Sequence, residues 1–173
     1  MTSANLLVDS LGRVRETVTD VVYGLNHAQL AYRITTEANP ICWLIWHLTR
    51  VQDDHIADAF AVPQVWSDQG WAERFGMPAS SLETGYGHTS QQVAAVSATI
   101  SSPELLTDYH DATYEQSVKL LSGVSDDDLE RVVDTSWHPP VTLGVRLVSV
   151  VNDDMQHAGQ AAFLRGILLR TAV

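Results

Sequence analysis

Apolar residues recur at helical spacing along nearly the whole chain. Leu7, Leu11, Val14, Val18, Val21, Val22 and Leu25 fall three or four apart, the signature of one buried helix face over residues 3–25. Asn26, His27 and the stretch to Pro40 end it. A second helix is expected from Pro40 to about Ala59, with Asn39 as its cap and proline in the first helical position. Its first half, Ile41 to Leu48, is apolar almost all round and reads as deeply buried, whereas Gln52 to Asp58 turns polar. Pro63 to Gly87 is rich in proline and glycine but carries Trp66, Trp71, Phe75 and Tyr86. Those aromatics argue for a packed loop that forms part of a pocket wall, with a short helix over 68–75. A further short helix starts at Thr89 and covers 91–95.

A third long helix is expected over 103–121, capped by Ser102 and followed by Gly123. Ser125 and the acidic run Asp126 to Asp128 cap a short turn to about Arg131, and residues 132–140 read as extended or irregular. Thr142 caps a last helix to about Arg170. In it Leu143, Leu147, Val150, Asp154, His157, Ala161, Leu164 and Leu168 alternate at spacings of four and three, a bundle seam with polar residues intruding midway. Without a strand pattern, four long helices predict an all-α, single-domain four-helix bundle over 1–173. Its long aromatic-rich connection lies between the second and third long helices.

Composition changes the picture in three ways. At 45% apolar and 18% charged, the chain can bury a core. A net charge of −11, with nine arginines and the single Lys119 in no cluster, argues against nucleic-acid partners. No apolar run is long enough to span a bilayer, the N-terminus has no signal-peptide pattern, and the lone Cys42 excludes a disulfide framework. A soluble cytoplasmic protein without membrane partners is therefore expected.

The strongest chemical candidate is the middle of the last helix. Asp153 and His157, four apart, share a helical face and can point at one metal ion. The same spacing allows His157 simply to hydrogen-bond an acid in the core. His47 sits in the most apolar stretch, where a histidine is more often a satisfied core residue than a ligand. His55 lies about 12 Å further along the axis, and spacing does not choose between the two. His27, His88, His110 and His138 read as surface or pocket residues. Cys42 reads as an inert buried thiol, and Asp126 to Asp128 as a helix cap rather than a calcium loop. Gly85-Tyr86-Gly87 lacks the spacing and lysine of a phosphate loop.

Asn39-Pro-Ile-Cys-Trp-Leu-Ile-Trp-His47-Leu, followed near the C-terminus by Asp153-x-x-x-His157-x-Gly159-Gln160, resembles the DinB-like four-helix superfamily. More narrowly it is similar to the actinobacterial branch that includes mycothiol-dependent transferases and maleylpyruvate isomerase. The resemblance implies a divalent metal, zinc or nickel, held by His47, Asp153 and His157. The carboxylate stands where much of the superfamily has histidine, and Asp154 is an alternative ligand. Asp54, Asp154 and Gln160 would orient the ligands. The loop from Trp66 to Tyr86 would wall the pocket, with Arg50, Trp71 and Tyr86 as pocket residues and Arg50 or Arg146 meeting an anionic substrate group.

The implied activity is a thiol S-transferase or isomerase. A low-molecular-weight thiol, mycothiol, would be activated as a metal thiolate and added to a small electrophile. The alternatives are a stress-linked bundle that binds metal or a small ligand without turnover, and a structural dimer with a buried His–Asp network. Related bundles imply a homodimer.

Overall fold

Four long helices carry the architecture in the computed structural model, which describes residues 1–171; positions 172 and 173 of the expected domain lie outside it. They are α1 (Ser3–Val22), α3 (Ile41–Phe60), α7 (Pro103–Leu121) and α8 (Leu143–Thr171). Both α3 and α1 pack against α7 and against α8, which closes a four-helix bundle. Thr2 caps α1 by accepting from the Asn5 amide, and Gly24, at φ 71°, ends that helix short of the expected Leu25. A one-turn helix, α2 (His27–Leu30), follows with Asn26 and Gln29 forming a reciprocal capping box that the helical periodicity does not reveal. Pro40, not Asn39, is the cap residue of α3, and no side chain caps it. Ser102 caps α7 where the spacing placed it.

The α3–α7 connection contains α4 (Val65–Asp68), α5 (Trp71–Arg74) and α6 (Ser90–Thr99), so the expected helix over 68–75 is two separate turns and α6 runs longer than expected. The polar half of α3 is no solvated face. Arg50, Gln52 and Asp53 are all buried, and the Asp53 carboxylate accepts the backbone amides of Val65 and Trp66, each at 2.8 Å. Asp53 thus anchors the first turn of α4 from the preceding helix. A 3₁₀ turn (Asp127–Glu130) follows α7. Residues 132–140, expected to be extended or irregular, begin with an extended strand: β1 (Val132–Asp134) pairs antiparallel with β2 (Val141–Thr142), which leads straight into α8.

Buried apolar side chains form two clusters, one with Val14, Leu48, Tyr109 and Ala158, the other with Leu11, Ile56, Leu121 and Val150. Each long helix passes from one cluster to the other at the level of buried polar groups. Gln52 Nε2 donates to Ser117 Oγ at 2.8 Å, and His110 Nδ1 lies 3.1 Å from Thr49 Oγ1. Asp154 is wholly buried at this level with no hydrogen-bond partner. His110, expected at the surface or in a pocket, is a core residue: burial drives its pKa down to about 4, so it folds neutral.

Candidate metal centre

His47 is held by Trp43 on its own helix and by the distant Thr84–Gly85 loop. Trp43, one turn earlier on α3, stacks on the imidazole at 4.6 Å between ring centroids and 14° between planes. The His47 Nδ1 lies 2.5 Å from the Thr84 carbonyl, so it carries the proton and Nε2 is left free. The loop reaches that close because residue 85 is glycine. Gly85 sits at φ 93°, and a Cβ there would stand 2.9 Å from His47 Nδ1, Trp43 Cζ2 and Trp46 Cζ3. Burial lowers the His47 pKa, outweighing the Thr84 carbonyl that raises it, so the ring is a neutral ligand near pH 7.

α8 supplies the other two groups. His157 Nδ1 pairs with Gln160 Oε1 at 2.9 Å, one turn on, which turns Nε2 toward Asp153 Oδ1 at 3.6 Å. The His47 and His157 rings meet edge to face at 4.8 Å and 74°. One ligand atom from each of His47, Asp153 and His157 lies within 4.8 Å of the others. Asp153 Oδ2 is buried with no hydrogen-bond partner, an orphaned anionic acceptor between two imidazoles whose Nδ1 atoms are already engaged. A divalent cation fits this donor set of two nitrogens and one carboxylate.

His47 and Asp153 line a cavity of about 690 Å³ whose wall also includes Asp54, Asp58, Asp134, Arg146 and Trp137. Arg146 Nη2 donates to Asp134 at 2.7 Å, and its Nη1 lies 3.5 Å from His55 Nδ1. The arginine is therefore already matched by a wall carboxylate and is not a free anion receptor. Tyr86 and Trp137 stand at the mouth, 93% and 67% exposed.

Of the two histidines on α3, the geometry selects His47, and His55 lies on the cavity wall. Several expected positions differ. Arg50 is fully buried, with its guanidinium bound to Tyr109 Oη at 3.0 Å, Gln64 Oε1 at 2.9 Å and the Glu83 carbonyl at 3.1 Å, so it is structural and not a pocket residue. Trp71 packs on Tyr109 at 5.4 Å inside the core, as do Trp66 and Phe75. Only the Thr84–Tyr86 end of the aromatic loop walls the cavity. Asp54 accepts from Gln64 Nε2 at 2.7 Å and does not orient His47; Thr84 does. Asp154 points into the bundle core, outside the cluster, because one residue further round α8 is 100° of rotation. Thr84, Gly85 and Trp137 escaped the sequence reading: none has a periodic or spacing signal, and the glycine in Gly85-Tyr86-Gly87 was its only trace.

Residues 6–169 match the family described as Mycothiol-S-transferase. No curated protein matches the chain. Among solved structures it is similar to one described as the crystal structure of the conserved protein of a locus from Enterococcus faecalis. The two are 29% identical, with 98% of each chain covered and a TM-score of 0.88.

Proposed function

The chain belongs to the mycothiol-S-transferase family, and from that premise we propose that it is a divalent-metal-dependent thiol S-transferase that joins the sulfur of mycothiol to a small electrophile. The single observation that carries this is the convergence of His47, Asp153 and His157, the first two on a cavity wall, with Asp153 Oδ2 buried and unpartnered. Three protein ligands leave room for a fourth group, the arrangement of catalytic rather than structural zinc sites. The nitrogen and oxygen donors suit zinc or nickel.

A bound cation supplies the positive charge that favours loss of a thiol proton near neutral pH. The chain's own residues do the rest. Thr84 and Gln160 engage the Nδ1 atoms of both imidazoles, which leaves each Nε2 for a cation. Asp54, Asp58 and Asp134 line the cavity, and its one arginine is matched to Asp134. Co-substrates bearing carboxylates are repelled by that wall, and uncharged or cationic ones are favoured. Tyr86 and Trp137 offer apolar faces at the entrance. We further place the protein in the cytoplasm. Among the described residues no helix is long and apolar enough to cross a membrane.

The test is His157→Ala beside the unaltered protein, both purified without a histidine tag. Elemental analysis should find near-stoichiometric zinc or nickel only in the latter, and only the latter should consume thiol in the presence of electrophiles. Equal metal content in the two removes the centre. Full metal with no thiol consumed across a broad electrophile panel removes the transferase.

A further inference from the structure

The loop that carries Thr84 meets α3 at more than one point. It folds back at Gly85, where the His88 amide donates to the Gly85 carbonyl at 3.1 Å. Thr84, at one end of that turn, accepts from His47 Nδ1. His88, at the other end, accepts through its own Nδ1 from the indole Nε1 of Trp43 at 3.4 Å. Trp43 is the residue whose ring stacks on His47. One turn thus holds both members of the stack, and its Gly85 backbone lies directly on the rings of Trp43, Trp46 and His47. The His88 side chain is only 6% exposed and lies outside the lining of the cavity. Its ring runs 23° from the Trp46 plane, with 6.0 Å between centroids.

We propose that His88 is a positioning residue for the metal centre: through Trp43 it fixes the plane of the His47 imidazole, so that Nε2 stays turned toward Asp153 and His157. The role rests on the metal centre proposed above. A single hydrogen bond at Nδ1 leaves an imidazole able to swing about that bond. A stacked neighbour fixes the plane only if the neighbour is itself fixed, and Trp43 is fixed by the N–H it gives to His88.

The tautomers agree with this role. An indole nitrogen only donates, so His88 Nδ1 is the unprotonated nitrogen and Nε2 carries the proton. A carboxylate oxygen of Glu83 lies 3.6 Å from that Nε2, on the side where the proton must be. His47 is the opposite tautomer, with its Nδ1 proton on the Thr84 carbonyl. Simple filling of space beside Trp46 requires neither assignment.

Cobalt(II) is the probe, because its visible absorption reports the number and geometry of its ligands. His88→Leu keeps bulk and removes the acceptor, whereas His88→Asn loses bulk but sets its Oδ1 where Nδ1 stood. His88→Leu should bind cobalt about tenfold more weakly, the lower end of what loss of a ligand-orienting group costs, and its absorption bands should shift. His88→Asn should recover most of the affinity and the unaltered bands. A packing role predicts the reverse order, since leucine fills the space and asparagine does not. Nitrogen-15 correlation spectra of the unaltered, metal-free chain in mildly alkaline buffer add a readout that needs no variant to fold. They should find His88 protonated on Nε2 and His47 on Nδ1. A proton on His88 Nδ1 overturns the proposal, as does His88→Asn binding cobalt no better than His88→Leu. An unaltered chain that takes up no cobalt overturns the metal centre itself, and this role with it. Full uptake with affinity and bands unmoved by His88→Leu overturns the role of His88 alone.

Discussion

Replacing Arg50 by methionine should unfold the protein rather than disarm it. The guanidinium is fully buried and donates to Tyr109 Oη, Gln64 Oε1 and the Glu83 and Leu82 carbonyls, while its Nη1 lies 3.4 Å from Asp53 Oδ2. It also stacks over Trp66 at 4.7 Å. Methionine refills much of the volume but none of the donors. Asp53 keeps the Val65 and Trp66 amides and the Tyr109 hydroxyl, yet loses the cation beside it. Removing one partner of a buried ion pair costs about 3–5 kcal/mol. Acceptors left unmatched add roughly 1 kcal/mol or more each, partly relieved by relaxation. A loss of about 5 kcal/mol approaches the whole stability of an ordinary domain.

The assay is urea unfolding followed by far-ultraviolet circular dichroism. The Arg50→Met midpoint should fall steeply, with Arg50→Lys intermediate. A pH series adds a second readout. Burial already raises the Asp53 pKa against the opposing amides and Arg50, and removing the arginine raises it further. A carboxyl with a raised folded pKa contributes stability at low pH that is lost as pH rises through that pKa. The deficit of Arg50→Met should therefore be smaller near pH 5 than near pH 8. An unchanged urea midpoint with a raised KM would refute the reasoning and return Arg50 to the substrate.

Three further outcomes follow from the same structure. Gly85→Ala must relieve three contacts at 2.9 Å in a left-handed conformation; we expect a stability loss of about 1–3 kcal/mol and weaker metal retention, read by thermal unfolding and metal titration. Gln160→Ala removes the group that orients His157 while leaving every ligand in place, and metal affinity should drop about 10- to 100-fold by competition with a chelating dye. His110 folds neutral with a pKa near 4, so the unfolded chain binds the extra proton as pH falls below 6.5. Stability present above pH 6.5 should be lost between 6.5 and 4, by about 3 kcal/mol in all, and His110→Leu should flatten that part of the profile.

The long helices and the cap of α7 were legible because they rest on local rules. Ser102 before Pro103 starts α7, and the seam from Leu143 to Leu168 holds α8 against the core, whatever the rest of the chain does. Asp153 and His157 could be paired on paper because both lie on one helix. The choice of His47 over His55 was a different matter, since it depends on how α3 is rotated against α8. That rotation follows from the packing of many side chains at once. Arg50 illustrates the same limit. A charged residue in a polar half-helix has no local mark of burial; only the return of the 82–84 loop and of Tyr109 supplies the acceptors that let it be buried. Periodicity along the chain thus determined which segments are helical and which faces are apolar, because those follow from neighbours within one or two turns. Which polar groups meet, and at what distance, was decided by tertiary packing, because a ligand set drawn from two helices and a loop exists only when all three are docked.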